Sequence, residues 1–135
     1  MTVESNPKVL IADDEHLIAD TLAMILNRSG FDARAAYSGE AAVELATDFQ
    51  PDVLIVDVVM LGMNGIDAAI EVQSMLPSCK ILLFSGQPAT EGLLEKARTE
   101  GHEFDILVKP IEPDELLGKL RSVTKSFTVR SVAPE

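Results

Sequence analysis

The segment VLIVDVVM, residues 53–60, places a single carboxylate directly after four consecutive apolar residues. A continuous apolar run of this kind is typical of a strand buried on both faces of a parallel sheet. An isolated carboxylate in such surroundings costs on the order of several kcal/mol. The position of Asp57 therefore leaves two alternatives: the side chain caps a turn, or it is the reactive group of a functional site.

Similar apolar runs recur along the chain and alternate with helical patterns. The predicted strands are KVLIA (8–12), DARAAY (32–37), DVLIVD (52–57), KILLFS (80–85) and DILVK (105–109). The second of these alternates and is more polar, as suits an edge strand. Ser38, Asn64 and Thr90 are placed to cap helices, and Pro113 lies near the start of the last one. The pattern predicts a doubly wound α/β fold, a five-stranded parallel sheet with helices on both faces.

The size and charge of the chain limit its function. With 135 residues, 47% of them hydrophobic, residues 1–135 are expected to form a single domain with one well-filled core. The formal net charge of −11 argues against direct contact with nucleic acid or an anionic membrane surface. The single cysteine, the absence of a signal-like N-terminus and the lack of a long apolar run predict a cytoplasmic protein. Residues 126–135 are expected to be a loosely ordered tail.

Charged or polar side chains stand at the ends of four predicted strands. In chain order they are Asp13 and Asp14, Asp57, Ser85, and Lys109. Because ligands of such sheets bind beyond the carboxyl ends of the strands, we expect these side chains to converge there. Crowded carboxylates raise one another's pKa unless a cation is present, and oxygen ligands of this type suit Mg²⁺. The combination favours metal-assisted phosphoryl chemistry over a set of unrelated turn caps.

In order and spacing these residues resemble the receiver domain of response regulators, the phosphoacceptor half of two-component signalling. The resemblance extends from about residue 8 to residue 125. Its components are the acidic pair Asp13-Asp14, the D-x-x-M-x-x-M-x-G stretch at 57–65, Ser85-Gly86 and Lys109-Pro110. It implies the flavodoxin-like (βα)5 fold of a chemotaxis-type, single-domain response regulator. Such a protein is a signalling phosphoacceptor and not an enzyme beyond its own phosphorylation and dephosphorylation.

The resemblance also implies a role for each matching residue. Asp57 would accept a phosphoryl group from a histidine kinase or phosphotransfer protein, or from acetyl phosphate. Lys109, after a cis Lys-Pro bond, would pair with the phosphoryl oxygens, and Ser85 would hydrogen-bond one of them. Mg²⁺ would be bound by Asp13, Asp14, Asp57 and the backbone carbonyl of Val59. The output would be contact with a downstream protein or a homodimer.

Some positions depart from the family pattern and leave alternatives open. Ile106 stands where the family usually has a switch aromatic, which Phe104 or Phe84 could replace, and Leu61 stands where it usually has Pro. A Mg²⁺-dependent phosphatase is disfavoured because the second acid that such enzymes need is replaced by Val59. The chain could also be a receiver fragment of a larger regulator or hybrid kinase, or a non-phosphorylated interaction module on the same fold.

The remaining residues of chemical interest have structural interpretations. His16 is expected to be an exposed residue in the first turn of a helix, and His102 a solvated residue in a turn. Met60 and Met63 are expected to pack under the loop after Asp57. Cys79 is expected to be a packing or loop residue without a lowered pKa.

Overall fold

Five strands and four helices are formed by the residues that the computed structural model describes, which are 6–86, 95, 98–99, 101–102 and 104–124. In chain order they are β1 (Lys8–Ala12), α1 (His16–Arg28), β2 (Asp32–Ala36), α2 (Gly39–Phe49), β3 (Val53–Asp57), α3 (Gly65–Met75), β4 (Lys80–Ser85), β5 (Asp105–Val108) and α4 (Pro113–Val123). Of the helix predicted to follow Thr90, the described residues Glu95, Arg98 and Thr99 are helical, and the tail 126–135 lies outside the described residues.

The strands form one sheet with the order β2-β1-β3-β4-β5, and every neighbouring pair is parallel. The chain leaves β1 toward β2 on one side and then returns to place β3 on the other side of β1. This reversal creates a switch point between the carboxyl ends of β1 and β3, where α/β sheets bind ligands. The doubly wound parallel fold is confirmed, and β2 is an edge strand as predicted.

The sheet is covered on both faces because successive side chains of each central strand point to opposite sides. Leu54 and Val56 of β3 pack on one face with residues of α2 and α3. Val53 and Ile55 pack on the other face with residues of α1 and α4. All five residues of β3 are buried, Asp57 included. The continuous apolar run of β3 therefore has the predicted cause, which is burial on both faces.

The helix boundaries follow the local signals in the sequence. The Ser38 hydroxyl accepts a hydrogen bond from the Ala41 amide at 3.0 Å, and the Asn64 side chain accepts one from the Asp67 amide at 2.9 Å. Caps of this kind stabilise a helix by about 1 kcal/mol. Pro113 is the first residue of α4, where its missing N–H costs nothing. None of the helices in the described part of the chain has the length and apolarity that a membrane crossing requires.

Candidate functional site

Three carboxylates meet at the switch point of the sheet. Asp13 directly follows β1 and is fully buried, and Asp57 ends β3 with only 7% of its surface exposed. Asp14 is half-buried. One carboxylate oxygen from each of the three lies within 4.8 Å of the others. The parallel topology thus brings together groups that are 44 residues apart in the chain, and three hard oxygen donors lie close enough to share one cation.

Lys109 supplies the positive charge of this cluster. Its Nζ lies 2.9 Å from Oδ2 of Asp57 and 3.4 Å from Oδ2 of Asp13. The backbone amide of Lys109 donates to the carbonyl of Ser85 at 3.0 Å, and the Lys109–Pro110 peptide bond is cis. The lysine therefore enters the site from the end of β5 and lies against two of the three carboxylates.

The electrostatics of the cluster favour a further cation. Burial raises the pKa of Asp13, and the charge of Asp57 raises it further, against the opposing effects of the Glu15 amide and Lys109. Burial lowers the pKa of Lys109, but its hydrogen bond to Asp57 and the charges of Asp57 and Asp13 outweigh burial, so the pKa is raised. One ammonium against three carboxylates leaves two negative charges when all are ionised. A divalent ion with a preference for oxygen ligands fits this donor set.

Ser85 lies at the same edge of the sheet. It is the last residue of β4 and is 7% exposed. The residue before it, Phe84, pairs with Asp57 in the register of β3 and β4. A side chain added to Gly86 would contact the Cβ of Lys109 at 3.5 Å. The Ser85-Gly86 turn is therefore packed beside the lysine and close to the carboxylate cluster.

The loop between β3 and α3, residues 58–64, is attached to the carboxylates through backbone amides. The Val59 amide donates to Oδ1 of Asp57 at 3.1 Å, and the Leu61 amide donates to Oδ2 of Asp14 at 3.1 Å. A proline at position 61, which is usual in the family that the sequence resembles, has no N–H and would not make this hydrogen bond. The departure at Leu61 thus adds a direct link between Asp14 and the loop.

Gly65 is a site residue whose purpose was not evident in the sequence. A Cβ at this position would overlap the backbone carbonyl oxygen of Asp57. Its amide donates to the carbonyl of Val58 at 2.9 Å and closes the loop. Only glycine allows α3 to begin this close behind Asp57. The available signal was a glycine at the first helical position, directly after the Asn64 cap.

The described part of β5 has no aromatic at its centre. Ile106 pairs with Leu83 and is 40% exposed. Phe84 is buried in the core beside α1 and α4, with its ring 6.0 Å from Nζ of Lys109. Phe104 packs against the opposite core. Both phenylalanines that were candidates to replace the aromatic are held by packing in this structure.

His16 is exposed, as predicted, and its ring stacks on Tyr37 with 3.9 Å between ring centroids. The hydroxyl of Tyr37 donates to a carboxylate oxygen of Asp20 at 2.6 Å. The prediction of a solvated His102 is wrong. This side chain is half-buried, with Nδ1 3.0 Å from Oε1 of Gln73 and its ring stacked on Phe104.

Three sulfur-containing residues, Met60, Met63 and Cys79, are buried or half-buried. Met60 is buried and Met63 is half-buried, in agreement with a packing role under the loop. Cys79 is also buried, and burial, with a smaller effect of the Asp52 charge, raises the pKa of its thiol to about 12. Cys79 is therefore protonated at neutral pH, as expected for a structural cysteine.

Buried carboxylates and a lysine at the switch point of a doubly wound sheet are the arrangement expected of a phosphoacceptor α/β domain. The family model for the response regulator receiver domain matches residues 9–121. The chain belongs to this family and is a receiver domain of two-component signalling.

Individual relatives agree with this assignment. The chemotaxis protein CheY of Thermotoga maritima is 32% identical over 119 residues, which cover 87% of this chain and 98% of that protein. The probable transcriptional regulatory protein TcrX of Mycobacterium tuberculosis is 28% identical over 92% of this chain, but this chain spans only 52% of it.

Solved structures give the same result. The chemotaxis protein CheY4 of Vibrio cholerae superposes with a TM-score of 0.77 at 30% identity. The match covers 88% of this chain and 99% of the CheY4 chain. A CheY-like receiver domain protein of Methanospirillum hungatei has a TM-score of 0.82 at 20% identity over 93% of this chain and 99% of its own, and shows that the fold is shared.

Proposed function

We propose that this receiver domain accepts a phosphoryl group on Asp57 in a Mg²⁺-dependent reaction and passes the signal to a partner protein. The proposal rests on one observation: Nζ of Lys109 lies 2.9 Å from Oδ2 of Asp57, within a cluster of three carboxylates at the switch point. A carboxylate held beside a lysine and a cation site has the neighbours that phosphoryl transfer needs.

Asp57 acts as the nucleophile. One of its carboxylate oxygens forms a bond to phosphorus as the bond from phosphorus to the donor breaks. With a phosphohistidine donor the leaving imidazole nitrogen takes a proton, and with acetyl phosphate the leaving group is acetate. The product is an aspartyl phosphate, a reactive mixed anhydride that water hydrolyses, so the modification is transient.

The other residues stabilise charge and position the groups. Lys109 releases Asp57 as the phosphoryl group arrives and pairs with its oxygens, and the Ser85 hydroxyl donates to one of them. Asp13, Asp14, Asp57 and the backbone carbonyl of Val59 would hold Mg²⁺, which would supply positive charge near the phosphoryl oxygens when bound. Burial, and to a smaller extent the charge of Asp57, raises the pKa of Asp13, and this supports the assignment because a bound cation would favour the ionised carboxylate.

The wider function follows from the same site. A histidine kinase or phosphotransfer protein is the donor, and a downstream protein or a second copy of the chain receives the signal. We propose that residues 1–135 form a single domain of a cytoplasmic protein, with the receiver domain at about residues 8–125 and a tail at 126–135. The chain catalyses only its own phosphorylation and dephosphorylation, because the position of a second acid is filled by Val59.

The test is the intact mass of the protein after incubation with acetyl phosphate and Mg²⁺. The expected result is a gain of one phosphoryl group in the wild type, with no gain in Asp57→Asn or in the presence of EDTA. Asp48→Asn, an exposed acid on α2, is the matched control and is expected to be phosphorylated like the wild type. A wild type that gains no mass from acetyl phosphate or from any histidine kinase donor would exclude the proposed function.

A further inference from the structure

The loop of residues 58–64 is held from outside by two carboxylates on other elements. Oδ2 of Asp14 accepts a hydrogen bond from the Leu61 amide at 3.1 Å. Oε2 of Glu40, in the first turn of α2, accepts one from the Met63 amide at 3.2 Å. The Asp14 contact belongs to the site already described. The Glu40 contact comes from a residue outside the carboxylate cluster.

The start of α2, from which the side chain of Glu40 extends, lies close to the loop. A Cβ on Gly39 would lie 3.0 Å from the carbonyl oxygen of Met63, and a Cβ on Gly62 would lie 3.1 Å from Oε2 of Glu40. Gly62 also has a φ of +80°, which disfavours other residues. Gly39 therefore allows the start of α2 to lie against the backbone of the loop, and Gly62 lies against the carboxylate of Glu40.

The cap of α2 is supplied by another residue. The Ser38 hydroxyl accepts from the Ala41 amide at 3.0 Å, so the helix start has its own side-chain cap. A glutamate in the first turn also interacts favourably with the helix dipole. The dipole interaction requires the charge of Glu40 but does not require the hydrogen bond to Met63, so the two roles are separable by experiment.

The loop connects this contact to the metal ligands. Its first half is attached to the site, because the Val59 amide donates to Oδ1 of Asp57 at 3.1 Å. Its second half is attached to α2 through Met63 and Glu40. The path of the backbone between these two attachments determines where the Val59 carbonyl and the Leu61 amide lie relative to Asp14 and Asp57.

We propose that Glu40 is a positioning residue for the metal site. By holding the Met63 amide, Glu40 keeps the loop in the conformation in which the Val59 carbonyl and the Asp14 carboxylate bind Mg²⁺ together. The inference rests on the proposed function for the identity of the metal and its ligands. Glu40 touches neither the metal nor the phosphoryl group and acts only through the loop.

The test compares Mg²⁺ binding in Glu40→Ala and Glu40→Gln. Glu40→Ala removes the acceptor, and we expect Mg²⁺ to bind about 3- to 10-fold more weakly, in line with the loss of an exposed hydrogen bond to a charged group. Glu40→Gln keeps an acceptor oxygen without the charge, and its affinity is expected to stay within about 2-fold of the wild type. Binding is measured by titrating MgCl₂ and following amide shifts by NMR.

Hydrogen exchange at the Met63 amide provides a second readout. We expect exchange to be faster in Glu40→Ala and close to wild type in Glu40→Gln. Glu44→Ala, which changes an exposed glutamate further along the same helix, is the matched control and is expected to alter neither exchange nor affinity. A role limited to the helix dipole predicts instead that both Glu40 variants lose stability while Mg²⁺ affinity is unchanged.

Phosphorylation by acetyl phosphate distinguishes this inference from the proposed function. Glu40→Ala should be phosphorylated more slowly at low Mg²⁺ and at the wild-type rate when Mg²⁺ is saturating. If the wild type takes up no phosphoryl group, the proposed function fails, while Mg²⁺ binding and Met63 exchange still test Glu40. Wild-type Mg²⁺ affinity in Glu40→Ala, or an equal loss of affinity in Glu40→Gln, would overturn the positioning role.

Discussion

Strand β3 is bounded by an aspartate at each end, and the two carboxylates have opposite surroundings. At the amino end, Oδ2 of Asp52 accepts the amide of Lys8 at 2.9 Å, and the backbone of Asp52 bonds to both neighbouring strands. At the carboxyl end, Asp57 lies among two further carboxylates and one lysine. The same residue type bridges two strands at one edge and is the proposed phosphoacceptor at the other. The neighbours, and not the residue, determine the difference.

The amino and carboxyl edges of the sheet also differ in how burial affects the ionisable groups there. At the amino edge, burial keeps the thiol of Cys79 protonated, with its pKa raised to about 12, and the group is inert. At the carboxyl edge, burial raises the pKa of Asp13, while the Glu15 amide and Lys109 favour its charged form. Burial keeps the Cys79 thiol neutral and inert, whereas Asp13 is buried beside charges of both signs, so that a bound cation would favour its ionised form.

The largest expected effect comes from removing the lysine of the carboxyl edge. Lys109→Met should slow phosphorylation by acetyl phosphate about 100-fold, because the positive charge that meets the phosphoryl oxygens is lost. Lys119→Met is the control, since Lys119 pairs with Asp105 at 3.2 Å on the surface. Its rate, measured by intact mass over time, should stay within about 2-fold of the wild type. Equal losses in the two variants would remove the distinction between site and surface.

The second-largest expected effect is a loss of folding stability when the close approach of α3 to Asp57 is blocked. Gly65→Ala should destabilise the fold by about 2 kcal/mol, because the new methyl group overlaps the Asp57 carbonyl. Gly118→Ala in α4, where a Cβ would meet nothing within 4 Å, should instead stabilise it by about 0.5–1 kcal/mol. Urea denaturation followed by circular dichroism measures both. A Gly65→Ala variant as stable as the wild type would contradict the close approach.

The smallest expected effect is the change in folding stability when an aspartate at either edge is replaced by asparagine in the absence of metal. The pKa of Asp13 is raised in the folded state above its ordinary value of 3.8, so its ionised form reduces stability at neutral pH. Asp13→Asn should therefore stabilise the protein by about 1 kcal/mol at pH 7 in EDTA. The gain should shrink as the pH falls through the folded-state pKa and disappear well below pH 3.8, where Asp13 is protonated in both the folded and the unfolded state.

Asp52→Asn is the counterpart at the amino edge. It weakens the hydrogen bond from the Lys8 amide and should lower stability by about 0.5 kcal/mol. Denaturation curves of the two variants at pH 7 and near pH 3 measure the contrast. A gain in stability from Asp52→Asn, or a loss from Asp13→Asn, would reverse the proposed difference between the edges.

Much of this fold could be predicted because its signals are local. The strands β1 and β4 have the bounds that their apolar runs predict, and β3 and β5 differ by one residue at one end. Ser38 and Asn64 cap helices through contacts within a few residues. The convergence of Asp13, Asp57 and Lys109 followed from topology, because parallel strands end at a shared edge.

The contacts that the sequence did not reveal join distant segments through loops. The hydrogen bonds from Leu61 to Asp14 and from Met63 to Glu40 depend on the backbone path of the loop, which no periodicity encodes. Gly65 was visible as part of a motif, but its purpose depends on the position of the Asp57 carbonyl. His102 was misread for the same reason, because Gln73 on α3 and the ring of Phe104 partly bury a residue that lies in a turn.

The stack of His16 on Tyr37 provides an optical probe. The chain has one tyrosine and no tryptophan, so its intrinsic fluorescence above the phenylalanine region comes from a single ring. That ring lies 3.9 Å from an imidazole two residues after Asp14 in the chain and donates its hydroxyl to Asp20. A ligand at the acidic cluster that moves the start of α1 would therefore be expected to change the fluorescence of Tyr37. The unlabelled protein thus contains its own reporter beside the site.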